Sequence, residues 1–231
     1  MEQPTKEVKK KIKIKIIPFL LVILLSVSLF FIGKHIINLP ITNIYISGNI
    51  NLKDQEIIEL ATIESYPSFI LTSTSSIEKK IKKNDFIKTV NVTKKLFGKI
   101  IIDVTEYKPL YREETSQKIV LGNKKRIDDL EYNYQLPILL NYVPENKMDS
   151  FIKGMNITND SIKTQISEIT YSPNEQDKDR FLLYMTDGNY VYLTLTKFKQ
   201  INYYTEVLEQ LGDKKGILYL DSGNHFQIME G

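Results

Sequence analysis

The sequence predicts an α+β protein held to a membrane by one helix, and three observations carry that reading. Ile16 to Ile32, IIPFLLVILLSVSLFFI, is an uncharged apolar run of 17 residues near the N-terminus. From Ile41 to Val104 a strand, two helical stripes and two further strands follow in the order β-α-α-β-β. Beyond Pro109 short strands dominate, with one clear hairpin and one amphipathic helix, as in a mostly antiparallel β-domain with flanking helices.

The apolar run is at the short end of lengths that span a bilayer. As a helix rising ~1.5 Å per residue it covers ~26 Å; Gly33 and the stems of flanking lysines extend it toward the ~30 Å hydrocarbon core. Before it stand Lys6, Lys9, Lys10, Lys11, Lys13 and Lys15 against Glu2 and Glu7, a net charge of +4 in a chain of +3. Lysines collect on the cytoplasmic side of membrane spans, so the N-terminus is expected inside and the larger part outside. Ser26-Val27-Ser28 is a small-x-small triplet of the kind a cleavable signal carries. Cleavage there would leave Leu29, Phe30, Phe31 and Ile32 as an apolar new terminus, which favours a retained anchor. The tail, residues 1–15, reads as a topology signal that also attracts anionic lipid, or as a docking peptide.

Composition narrows the chemistry. A chain of 231 residues holds one or two domains. It has no cysteine, hence no disulfide, thiolate metal site or thiol nucleophile. His35 and His225 are the only histidines, which leaves little for proton shuttling or zinc. The near-neutral part after the span lacks the basic footprint that nucleic acid requires. No cofactor is expected.

In the β-α-α-β-β stretch, Ile44 and Ile46 alternate with Tyr45 and Ser47, and Gly48-Asn49 makes a turn. Asn51 is placed to cap a helix, with Asp54 three residues on and Ile57, Ile58 and Ala61 as its stripe. Tyr66-Pro67 ends it. Ser73 or Thr74 caps a second helix that carries Ile77 and Ile81. Val90 and Val92 share one strand face, and Ile100, Ile102 and Val104 another, with Leu96-Phe97-Gly98 at the turn. Strand, Gly48-Asn49, helix, two strands and Glu106-Tyr107-Lys108-Pro109 resemble a POTRA domain, and more narrowly that of the FtsQ/DivIB family of bacterial division proteins. Asp85 and Gly98 stand where that family often has prolines, both at turns.

The second region is similar to the β-domain of the same family. Lys118 to Leu121 reads as a strand, and Leu136-Pro137-Ile138-Leu139-Leu140 resembles that domain's Leu-Pro-hydrophobic stretch. A polar helix lies within 144–164, with Met148, Phe151 and Ile152 on one side. Ile166 to Tyr171 is a strand, Phe181 to Thr186 and Tyr190 to Leu195 a hairpin, and Lys197 to Leu211 an amphipathic helix ended by Gly212. Gly216 to Leu220 and Phe226 to Met229 are the last strands, joined by Asp221-Ser222-Gly223-Asn224. The resemblance implies a tail at 1–15, a signal anchor at 16–33, a spacer at 34–40, a POTRA domain at 41–108 and a β-domain at 109–231. It also implies membrane division proteins like FtsL and FtsB/DivIC as partners. It further implies no enzyme activity, and a place in the cell membrane at the division septum.

A sheet at the end of a chain offers an edge that accepts a partner's strand. Leu218, Tyr219, Leu220, Asp221, Ser222, Phe226 and Ile228 are therefore the expected partner-binding residues. The hairpin at 89–105 offers a second edge. Catalytic readings are weaker. Asp128-Asp129 and Asp177-x-Asp179 are carboxylate pairs on loops, which most simply are solvated charge. Asp221, Ser222 and His225 are near in sequence, but a turn of Asp-Ser-Gly-Asn explains the same residues. An anchored enzyme acting on wall polymer and a POTRA-type chaperone are the alternative functions.

Overall fold

The computed structural model describes residues 16–128, 134–212 and 214–229. The lysines of the tail and Asp129 lie outside them. The chain forms two units. One consists of residues up to 47 with 54–81 and 91–103; the other consists of 48–53, 82–90 and everything from 104 onward.

In the first unit the apolar run is helical over Ile16–Ile37 (α1), unburied throughout and long enough to cross a membrane. The helix runs past the expected end at Gly33 and takes up much of the expected spacer. Lys34 and His35 occupy its last turn, where positive charge complements the helix dipole, and no breaker intervenes before Pro40. Strand β1 (Asn43–Ser47) lies parallel to β3 (Lys99–Glu106), Asn43 opposite Lys99 and Ser47 opposite Asp103. β2 (Ile87–Lys95) completes a three-stranded sheet in the order β1-β3-β2; residues 87–90 of β2 and 104–106 of β3 are counted with the second unit. Helices α2 (Asp54–Ala61) and α3 (Thr74–Ile81) bury Ile57, Ala61, Ile77 and Ile81, and the strands bury Val92, Ile100 and Ile102. Ser73 caps α3: its hydroxyl accepts from the Ser76 N–H and its carbonyl from the Ile77 N–H.

The expected cap on α2 is not made. Asn51 lies three residues before the helix, and its side chain donates instead to Glu106 Oε2 at 2.6 Å. The backbone N–H groups of Asn51 and Leu52 donate to the same carboxylate. Gly48 is held at φ +82, and a Cβ there would meet the Val104 carbonyl oxygen at 2.0 Å. Gly48→Ala is therefore expected to cost about 1–3 kcal/mol through left-handed backbone and displacement of that carbonyl. The shift in the urea unfolding midpoint measures it.

The second unit is built on a nine-stranded sheet among the described residues. Its strands are β4 (Pro109–Glu113), β5 (Lys118–Leu121), β6 (Arg126–Asp128), β7 (Ile138–Leu139), β8 (Ile166–Tyr171), β9 (Arg180–Met185), β10 (Tyr190–Thr194), β11 (Gly216–Tyr219) and β12 (His225–Ile228). Their order is β12-β11-β10-β9-β8-β7-β4-β5-β6. The joints β10/β11, β8/β7 and β7/β4 are parallel and the rest antiparallel. Helix α4 (Glu145–Ile157) and the short α5 (Asp160–Lys163) precede β8. One continuous core contains Tyr111, Phe151, Phe181 and Phe198, with Phe151 stacked on Phe181 at 4.8 Å and 5°.

The helix expected over Lys197 to Leu211 is two segments. Leu195–Tyr203 is 3₁₀ and only Tyr204–Leu211 (α6) is α-helical. Phe198, Ile201 and Tyr204 are all buried, and their spacing of three matches the 3₁₀ repeat rather than the 3.6 of an α-helix. β4 opens with a proline and mixes Arg112 and Glu113 into its run, so it carried no alternation to read.

Glu113 and Arg126 clamp that end of the sheet with two bonds, 2.8 and 2.9 Å. The hydrogen bond from Arg126 holds the Glu113 carboxyl below the usual carboxylate range, against the opposing effect of burial. A lowered folded pKa contributes stability that is complete above the unfolded value of ~4.3 and disappears as acid carries the pH down through the folded one. Glu113→Gln should thus destabilise the protein at neutral pH, with the gap from wild type closing in acid. Urea titrations at both ends of that range test it; a gap independent of pH contradicts the assignment.

Candidate partner-binding edge

Among the described residues β12 is an outermost strand of the sheet, and the register decides what it presents. Gly216 lies opposite Ile228, and Leu218 opposite Phe226. The Met229 N–H donates to the Lys215 carbonyl, so by antiparallel alternation residues 225, 227 and 229 direct their main-chain groups at β11. The main-chain groups of Phe226 and Ile228 then face the open side. These are the donors and acceptors that an added strand would engage.

The seven expected residues divide by side chain. Leu218 and Leu220 are buried in the core, so neither side chain reaches a partner. Leu220 also lies just past β11, its N–H bonded to the Tyr192 carbonyl at 2.8 Å. Phe226 is half-buried and packs on the same core. Ile228 is exposed. Tyr219 is half-buried on the outer face, stacked between Tyr192 (5.4 Å, 27°) and His225 (4.6 Å, 8°). Ser222 is exposed, and its hydroxyl donates to Asp221 Oδ1. Asp221 itself is bonded through Oδ2 to Arg180 Nε at 2.7 Å, with the two side chains only 6% and 14% exposed.

Arg180 is the member that sequence reading missed. Its guanidinium lies 3.3 Å over the Tyr192 ring while its Nε holds Asp221. Lys197 donates to the Asp221 carbonyl. Arg180, Tyr192, Tyr219 and His225 thus form a ladder across β9, β10, β11 and β12 that stiffens the sheet up to its edge. No motif announced it, because its two halves, Arg180 with Tyr192 and Tyr219 with His225, meet only through the parallel β10/β11 joint. That joint has its own fastening. Buried Asn189 accepts the Gly216 N–H at 2.8 Å, and Tyr204 donates to Asp187. Burial pushes the Tyr204 hydroxyl above its ordinary range, with Asp187 adding to the effect.

The catalytic candidates make contacts of their own. Asp177 accepts the Asp179 N–H, and Asp179 pairs with Lys147. His225 lies flat against Tyr219.

Gly216 permits the closure of β12. A Cβ there would stand 2.1 Å from the Gln227 carbonyl oxygen and 2.7 Å from the Phe226 ring. Gly216→Val is expected to lift β12 from β11 and accelerate amide exchange at 225, 227 and 229 while leaving β8–β9 protected. Unchanged exchange at the edge would refute this.

Two family models match. The FtsQ-type POTRA domain matches residues 39–107, and the C-terminal domain of the cell division protein FtsQ/DivIB matches residues 113–222. Cell division protein DivIB of Bacillus subtilis (strain 168) is 30% identical over 95% of this chain and 85% of that protein. The chain belongs to the FtsQ/DivIB family. DivIB of Listeria monocytogenes is 27% identical over 98% of this chain and 88% of its own length. The major extracytoplasmic domain of DivIB from Geobacillus stearothermophilus aligns with 46% of this chain and 95% of the solved one, at 19% identity and a TM-score of 0.39. The FtsQ/DivIB relatives are named as cell division proteins, and division is the process in which this chain takes part.

Proposed function

We propose that this FtsQ/DivIB family member is a non-enzymatic scaffold of the divisome, crossing the membrane once through α1 with its N-terminus in the cytoplasm. Its POTRA domain, 41–108, and β-domain, 109–231, stand outside at the division septum. The β12 edge receives a strand from an FtsB/DivIC-like protein, bound together with an FtsL-like one, and so links them to septal peptidoglycan synthesis. The observation that carries this is the outward direction of the Phe226 and Ile228 main-chain groups on an outermost strand backed by a stiff aromatic ladder. Such a role needs only a coupling free energy between partner sites.

The test is co-purification from detergent-solubilised membranes with the full chain and with a chain lacking residues 224–231. Small single-pass coiled-coil proteins should accompany only the intact chain. Equal recovery with both would remove the edge as the site. Release of soluble fragments from peptidoglycan by the purified protein would instead favour the anchored enzyme, and binding of many unrelated unfolded peptides the chaperone.

A further inference from the structure

Among the described residues of the first unit beyond α1, the most exposed apolar side chains, Phe97, Leu96 and Leu71, stand beside the end of that helix. Leu96 and Phe97, at the tip of the β2–β3 hairpin, are 79% and 85% exposed. Ile70 and Leu71, in the loop before α3, are 47% and 69% exposed. Both loops are bonded to the last residue of the helix or to the few that follow it. The Thr42 N–H donates to the Gly98 carbonyl at 2.9 Å, and the Thr42 hydroxyl to the Phe97 carbonyl at 2.6 Å. The Phe69 N–H donates to the Leu39 carbonyl at 2.8 Å, and the Ser68 hydroxyl to the Ile37 carbonyl.

Gly98 makes the first of these approaches possible. Its φ is +74, and a Cβ there would press at 3.0 Å on the Pro40 carbonyl oxygen and the Thr42 side chain. Lys94 ties the two loops together: its ammonium lies 4.9 Å over the Phe69 ring and donates to the Ile70 carbonyl. Lys95 and Lys99 flank the tip.

The placement follows from length. α1 has 22 residues, ~33 Å of helix against a ~30 Å hydrocarbon core, so Ile37 stands at the boundary between hydrocarbon and headgroups. Loops bonded to residues 37–42 are therefore held at headgroup depth. Apolar and aromatic tips with flanking lysines are the composition that settles there, the apolar groups in the acyl boundary and the ammonium groups on lipid phosphates.

We infer that the Leu96-Phe97 hairpin tip and the Ile70-Leu71 loop insert into the interface of the anionic phospholipid bilayer that α1 crosses, as a second anchor for the first unit. This rests on the reading of α1 as a membrane span. It accounts for large apolar side chains left in water on a loop that needs none for folding. Headgroups and acyl chains are the occupant, rather than a protein groove, because both loops are bonded to the segment where α1 leaves the membrane.

The chain has no tryptophan, so single Trp probes report without background. Full-length Phe97→Trp, Leu96→Trp, Phe30→Trp and Ser47→Trp would be reconstituted in phosphatidylglycerol/phosphatidylcholine vesicles containing lipids brominated near the glycerol or deep in the chains. Phe30 reports the span itself. Ser47, at the far end of β1 and roughly 17 Å along the strand from Thr42, reports water. Phe97→Trp and Leu96→Trp should be blue-shifted and quenched several-fold more by shallow than by deep bromines, Phe30→Trp by deep ones, and Ser47→Trp by neither. If Phe30→Trp is quenched while the Phe97→Trp and Leu96→Trp emissions match Ser47→Trp, the second anchor is wrong and the span stands. If Phe30→Trp is also unquenched, the spanning reading fails and the inference with it.

Discussion

Ile228→Pro should weaken capture of the coiled-coil partner by ~10-fold or more while leaving thermal unfolding nearly unchanged. The Ile228 N–H points away from β11, so the proline removes a donor that only an incoming strand would use. One main-chain hydrogen bond contributes ~1 kcal/mol, and the pyrrolidine ring adds a clash on the side where the new strand would lie. Gln227→Pro is the matched control. Its N–H faces β11, so it should detach β12 and lower stability as well as binding. Leu220→Pro is less informative, since it breaks the bond to Tyr192 inside the sheet. Titration of the partner ectodomain against the full chain in detergent, beside calorimetric melting, gives both readings. Tight binding by Ile228→Pro would refute strand addition at this edge.

Phe151→Ala should be the most destabilising single change in the second unit. Phe151 is fully buried, stacks on Phe181 and meets Tyr111 and Phe198 at 5.2 and 5.8 Å. Truncation removes a ring from the centre of the core and leaves a cavity whose walls are other rigid rings, so little collapse is available. The expected cost is ~3–5 kcal/mol, or a fall in Tm of roughly 6–20 °C for a chain of this size. Against a typical total of ~5–15 kcal/mol, that is a large share of the stability. Phe151→Leu should recover much of the loss. A drop no larger than that for an exposed change such as Tyr142→Ala would mean the four rings do not form the structural centre.

Legibility differed by element. The hydrophobic run at 16–32, the β-α-α-β-β order and the hairpin around Asp187-Gly188 were readable because each signal is local: an uninterrupted apolar length, a change of period, a glycine turn. The 3₁₀ segment was misread as α-helix since Phe198, Ile201, Tyr204, Val207, Leu208 and Leu211 fit either repeat loosely. β4 and β6 were missed because one starts on proline and the other has three residues.

The proposed partner edge was half legible. The last strands were visible in the sequence, but which of their side chains are buried was not. Leu218 and Leu220 looked like contact residues and are core. Arg180, 41 positions from Asp221, showed no connection to it.

The sequence by itself determined the apolar N-terminal helix, the two regions in their order and the place of the last strands, because hydrophobic length and period are properties of consecutive residues. Only the tertiary structure decided which strand stands outermost, which main-chain groups face away from the sheet, and which apolar side chains stay uncovered beside the end of α1. Those depend on register, on a parallel joint between β10 and β11, and on hydrogen bonds such as Thr42 to Gly98 that join residues far apart in the chain. No local pattern encodes such contacts, since the free energy that selects them comes from burying many distant surfaces together.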